Sequence, residues 1–201
     1  MKSIVSDTMR YRILLLLFTL GGFHSYSQVN YEREFRIRKG QFPEACYKTV
    51  EPYLNEVKKL RFYQEVDSSM VRYRIKFKKD RLYYQVAFDE KEQLENIEVL
   101  ITNVDIPEPS WLEMNKHLEK TFIKFKVRKI QQRYARKSFA TTDETFRNAY
   151  QNLIIPEVRY ALFIRASEEE GKGDYQSLYN HLGEFLDLKK SLPPNYDHVL
   201  Y

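Results

Sequence analysis

Apolar and polar residues alternate most strictly at 71–78, where Val71, Tyr73, Ile75 and Phe77 interleave with Arg72, Arg74, Lys76 and Lys78. A period of two places the first set on one face of a β-strand and the second on the other, so one face is buried and the opposite one is basic. Similar runs predict strands over 60–66, 70–78, 82–89 and 94–102, divided by Asp67-Ser68-Ser69, Lys79-Asp80-Arg81 and residues 90–93. Connections that short join antiparallel neighbours, which makes this segment a meander. Ahead of it, Pro43 fits the first turn of a helix whose apolar members are Ala45, Tyr47, Val50, Leu54 and Val57, with Pro52 as a kink or break. Residues 31–40 form a charged lead-in in which Phe35 and Ile37 alternate with Arg36 and Arg38, as in an edge strand.

The pattern restarts near Val104-Asp105-Ile106-Pro107. Ser110 and Glu113 have the spacing of a capping box, and a helix is predicted over 110–120 with Leu112, Met114, Leu118 and Phe122 as its apolar members and Trp111 as an anchor. A strand over 123–134 follows, and then a polar stretch over 135–144 that reads as loop or short helix before Pro156. Val71-Arg72-Tyr73 recurs as Val158-Arg159-Tyr160, and Phe88-Asp89 with Leu94 and Ile97 recurs as Tyr179-Asn180 with Phe185 and Leu188. Between these anchors the second copy is four residues longer, a difference that Gly171-Lys172-Gly173-Asp174 accounts for as an extended hairpin loop. Two repeats are therefore expected, 41–104 and 105–191, each a helix on a four-stranded antiparallel meander, for an α+β fold.

At the N-terminus, Lys2, Arg10 and Arg12 precede an apolar stretch over 13–20, and Ser25-Tyr26-Ser27 offers small residues before Gln28. This is the layout of a secretory signal peptide over 1–27, with Met9 as an alternative start. The apolar stretch is far shorter than the ~20 residues a membrane helix needs. The remainder comprises a lead-in over 28–40, the two repeats and a tail over 192–201, in which a Pro193-Pro194 turn precedes apolar residues expected to pack back on the domain. Removing 1–27 takes away three basic residues and one acidic one, leaving 30 against 27, a balance too mild to argue for nucleic acid. Cys46 is the only cysteine, which excludes an intramolecular disulfide, and its apolar neighbours read as those of a buried spacer.

The helix start at Phe42-Pro43, the strand 71–77 and Tyr84-Gln85-Val86-Ala87-Phe88-Asp89 with Leu94 and Ile97 resemble the PepSY-like family of exported bacterial proteins. In the second copy the matching residues are 158–164, 175–180, Gly183 and Phe185, so the resemblance covers nearly all of 41–191. It departs from the usual pattern at Glu90-Lys91-Glu92-Gln93, where a glycine-containing turn is common. The resemblance implies a fold like that of β-lactamase inhibitory protein, a concave antiparallel sheet backed by helices and used to grip a protein or peptide. It carries no catalytic residues, and β-lactamase inhibition does not transfer with a fold.

Candidate chemistry is sparse. Beyond the signal, His117, His181 and His198 are far apart and have no metal-ligand spacing, and the acidic groups Asp89/Glu90 and 168–170 fall at turns or strand ends. No enzyme activity, metal or cofactor is expected. The sharper feature is the basic stripe of Arg72, Arg74, Lys76 and Lys78, extended by Lys124, Lys126, Arg128 and Arg159, with Tyr83 or Tyr160 nearby. It reads as a partner-binding face for an acidic protein or anionic envelope polymer, or else as a solvated sheet face. The function expected is that of an exported, non-enzymatic binding module for an envelope protein or peptide. It would be periplasmic or extracellular, monomeric rather than an obligate oligomer, without nucleic acid and without a membrane span after signal cleavage. The alternatives are a periplasmic carrier holding a small apolar or anionic ligand in a cavity between sheet and helix, and a structural envelope subunit associating through its edge strands.

Overall fold

The computed structural model describes residues 32–67, 70–168 and 171–191. The signal peptide expected at 1–27 and the tail at 192–201 lie outside these residues. No helix of the described residues is long and apolar enough to cross a membrane.

The strands form where the alternation places them: β1 (Glu32–Ile37), β2 (Lys58–Asp67), β3 (Met70–Lys79), β4 (Leu82–Phe88), β5 (Leu94–Ile101), β6 (Lys124–Ala135), β7 (Arg159–Glu168), β8 (Gly171–Asn180) and β9 (Phe185–Ser191). Among the described residues they make one antiparallel sheet in sequence order, rather than two sheets of four. The two halves join because β5 and β6 pair from Asn96↔Ala135 to Ile101↔Ile130, which closes the polar backbone edges that separate sheets would leave open. Gly171-Lys172-Gly173-Asp174 is not a loop. It begins β8 and pairs with 165–168 of β7, so the four extra residues lengthen the β7/β8 hairpin.

Among the described residues three α-helices cover one face. Helix α1 (Glu44–Val50) follows Pro43 and gives way at Pro52 to a 3-10 turn, as the proline requires. It buries Cys46 and Val50, and just ahead of it Phe42 packs on Phe62 at 5.1 Å and Phe88 at 6.1 Å. Helix α2 (Glu108–Thr121) starts two residues before Ser110, capped by Pro107. The capping box expected at Ser110 therefore does not form. Ser110 is buried inside the first turn, and its hydroxyl donates to the His181 carbonyl at 2.9 Å. The polar stretch holds a short 3-10 turn and then α3 (Thr142–Tyr150), where Thr141 accepts from the Glu144 amide at 3.1 Å and Glu144 from the Ala140 amide at 3.0 Å. Phe146 of α3 stacks on Tyr53 at 3.8 Å, and Tyr150 meets Tyr84 edge-on at 5.2 Å.

The β4/β5 and β8/β9 turns share one hydrogen-bond pattern. Asp89 Oδ1 accepts from the amides of Lys91 and Gln93, each at 2.9 Å, and Asn180 Oδ1 from those of Leu182 and Glu184 at 3.0 and 2.9 Å. In both, the fourth residue is left-handed, Glu92 at φ 60° and Gly183 at φ 86°. A glutamate there bears a backbone strain that glycine avoids. The Glu92→Gly variant is expected to gain about 0.5–1 kcal/mol, read as a rise of about 2–4 °C in Tm.

Candidate functional site: the polar face of the sheet

The face opposite the helices carries the alternate residues of each strand. One row crosses from β2 to β7 as Arg61, Lys76, Gln85, Glu98, Arg133 and Arg159, each the register partner of the next. The helices of the described residues pack against the other face, yet here Glu65, Gln85, Glu98, Gln131 and Ala87 are all buried. The burial comes from long side chains leaning over one another and from curl of the sheet. Lys129 on β6 feels the Glu34 carboxylate on β1, five strands away. In a flat sheet that separation would be about 24 Å, too far for charges to matter in salt solution.

Three ion pairs order the β1–β6 part of this face, and Arg165–Asp174 and Lys189–Asp187 lie on it farther along. Arg74 meets Glu65 at 2.6 Å, Lys76 meets Glu34 at 2.6 Å, and Arg133 meets Glu98 at 2.6 Å. Gln85 donates to the second oxygen of Glu98 at 2.9 Å. Lys76 also lies over the Tyr63 ring at 4.4 Å, and Lys129 over Phe163 at 3.8 Å. Burial pushes the Glu98 carboxyl up, but Arg133, Arg74 and Lys129 outweigh it and hold the group below its ordinary range. Lys129 is brought down to about 8, first by burial, with Lys76 and Arg74 reinforcing the shift and Glu98 and Glu34 opposing it.

The structure divides the predicted stripe. Arg74 and Lys76 belong to the ion-pair cluster; Arg72 and Lys78 are half-buried beside it, Lys78 lying 5.3 Å from the centre of the Tyr83 ring. Lys124 and Lys126 are exposed at the far end of the same face, opposite Ser167 and Arg165. Arg128 is the extra residue of a bulge between Val127 and Lys129, and Arg159 is exposed across from Arg133. Tyr83 is on this face, whereas Tyr160 is fully buried on the helix side opposite Gln132 and takes no part. Sequence reasoning missed Glu34, Glu65, Glu98, Lys129 and Arg133. Their only signal is phase: Asn96, Glu98 and Leu100 alternate with the buried Ile97, Val99 and Ile101. Among the described residues Arg61, Arg72, Lys78 and Arg159 form no ion pair, so the face keeps an excess of positive charge.

No family model matches the sequence, and neither does any curated protein. Solved structures do match. A DUF2874 family protein from Bacteroides ovatus aligns with TM-score 0.50 and 12% identity over 78% of this chain and 92% of its own. A second, from Bacteroides uniformis, aligns with TM-score 0.50 and 13% identity over 74% and 89%. A BLIP-like protein from Bacteroides fragilis aligns with TM-score 0.47 and 10% identity over 78% and 91%. At such identities the likeness of the first two shows the fold alone: a large antiparallel sheet with few helices is an arrangement this chain shares with the DUF2874 structures.

Proposed function

We propose that the chain is an exported, non-enzymatic binding module that holds a protein or peptide of the cell envelope against the polar face of its sheet. The observation that carries this is an ordered charge array, net positive, on a sheet face that no helix of the described residues covers. Buried ion pairs contribute less stability than apolar residues of the same size, so their presence here is better explained by recognition than by folding. Cations and tyrosines together are the side chains that bind well at interfaces. Export rests on the pattern of residues 1–27. Two PepSY-like copies are supported by the equivalent Asp89 and Asn180 turns, each of which touches the helix of its own half: Cys46 Sγ approaches the Glu92 carbonyl at 3.6 Å, and Ser110 bonds His181.

The cavities that frame this reading sit on the polar face and at the β1 edge, not between sheet and helices. The experiment is affinity capture from envelope extract with a Lys78→Glu, Lys126→Glu, Arg159→Glu variant beside the wild type. These three positions lie outside the ion pairs, so folding should be unchanged by circular dichroism. A stoichiometric protein retained by the wild type and lost by the variant supports the reading. Identical capture by both removes the face from consideration.

A further inference from the structure

Strand β2 carries a bulge beside the ion-pair cluster. Lys58 pairs with Lys78 but Arg61 pairs with Lys76, so β2 has one residue more than β3 over this stretch. Lys59 sits in the bulge at φ 56°, a left-handed conformation that costs a residue with a side chain about 1 kcal/mol or more. The distortion has one visible result. Leu60 still packs into the core, while Lys59 and Arg61 both reach the polar face. There they wall a cavity of about 30 Å³ with Tyr63, Tyr83 and Gln131. Strained, bulged backbone that re-aims a side chain is typical of binding sites.

The cavity has room for about two waters, enough to receive the end of a carboxylate side chain. Of its other charged walls, Lys76 is committed to Glu34 and Glu98 to Arg133. Lys59 and Arg61 form no ion pair among the described residues. Arg61 also walls an open groove of about 540 Å³ at the end of β1, with Arg36, Arg38 and Lys39 and no carboxylate in its lining. From these observations we infer that cavity and groove form one site for an acidic peptide segment. One Asp or Glu side chain is seated between Lys59 and Arg61, and the neighbouring carboxylates run along the groove past Arg36 and Arg38. This rests on the reading of the polar face as a binding surface and names the chemistry of its partner.

The test is fluorescence anisotropy of a labelled hexaglutamate peptide against the purified, processed protein at physiological salt. Hexaglutamine and a sulfated hexasaccharide serve as comparison probes. Lys59→Gly removes the cation and relieves the backbone, so it should raise Tm by about 2–4 °C while weakening hexaglutamate binding about tenfold. Arg61→Met should weaken binding by a similar factor. A Lys116→Met, Lys120→Met variant, which removes the same sign of charge from exposed positions on α2, far from the site, should stay within about twofold of wild type. Hexaglutamine should not bind. Equal losses in the near and far variants, tighter binding of the sulfated probe, or no binding of hexaglutamate to the wild type would each overturn the site. The two readings fail separately: hexaglutamate binding is lost if the acidic site is wrong, and the captured envelope partner ignores Lys78, Lys126 and Arg159 if the face reading is wrong.

Discussion

Replacing Gly183 with alanine should destabilise the protein by about 2–5 kcal/mol, a fall in Tm of roughly 5–15 °C. Two costs combine. At φ 86° a side chain is strained whatever space surrounds it, and a Cβ built there would lie 2.2 Å from the Ser110 carbonyl oxygen and 2.9 Å from its carbon. Those atoms are backbone inside the first turn of α2, so nothing flexible can yield. Relief requires the helix to withdraw from the β8/β9 turn, breaking the Ser110–His181 hydrogen bond. Gly171→Ala separates the two costs: at φ 131° with nothing within 4 Å of the added Cβ, it should show the strain alone, about 1–2 kcal/mol. Thermal melts of the two variants side by side decide the matter. If they lose the same amount, α2 is not held by the turn, and the close approach has no energetic weight.

That contact also shows where reading the sequence succeeded and where it stopped. The strands were legible to within a residue or two because period-two alternation is a local signal: 70–78 became Met70–Lys79, and 94–102 became Leu94–Ile101. Helix starts were harder, since two prolines and a serine compete around 107–110. Pro107 takes the cap and leaves Ser110 free to bond across the structure. The cap in which Thr141 accepts from the Glu144 amide and Glu144 from the Ala140 amide was available in the sequence, but it stood before a helix whose buried residues include Thr145 and Asn148, which weakens the apolar period. The single sheet was not legible, because the β5–β6 pairing crosses the whole of α2. The charge cluster was hidden for a related reason. Whether Arg74 meets Glu65, or Arg133 meets Glu98, depends on register between strands, and bulges at Lys58/Arg61 and Ala87/Phe88 shift it by whole residues. A stripe of cations is written along one strand; the carboxylates that neutralise part of it come from three others.

Glu98→Gln tests that neutralisation at its centre and should cost about 3–5 kcal/mol, the range for removing one partner from a buried pair. The substitution keeps the shape and an acceptor for Gln85, but it leaves Arg133, Arg74 and Lys129 facing one another without the carboxylate that balances them. Adding Arg133→Met should restore part of the loss, because the second change removes a buried cation that has lost its counter-charge, and a double-mutant cycle in denaturant measures the coupling. The pH dependence gives an independent check. Glu98 in the fold is held below its ordinary value of 4.5, so between that value and its lowered one the unfolded chain binds a proton that the folded chain does not. Its contribution is therefore complete above about pH 4.5 and is lost as pH falls through the folded value. Wild type should lose stability on acidification over that window, and Glu98→Gln should lose less, so the two curves converge toward low pH. Parallel curves would mean that Glu98 titrates alike in the folded and unfolded chain, so that its cationic neighbours and its burial cancel.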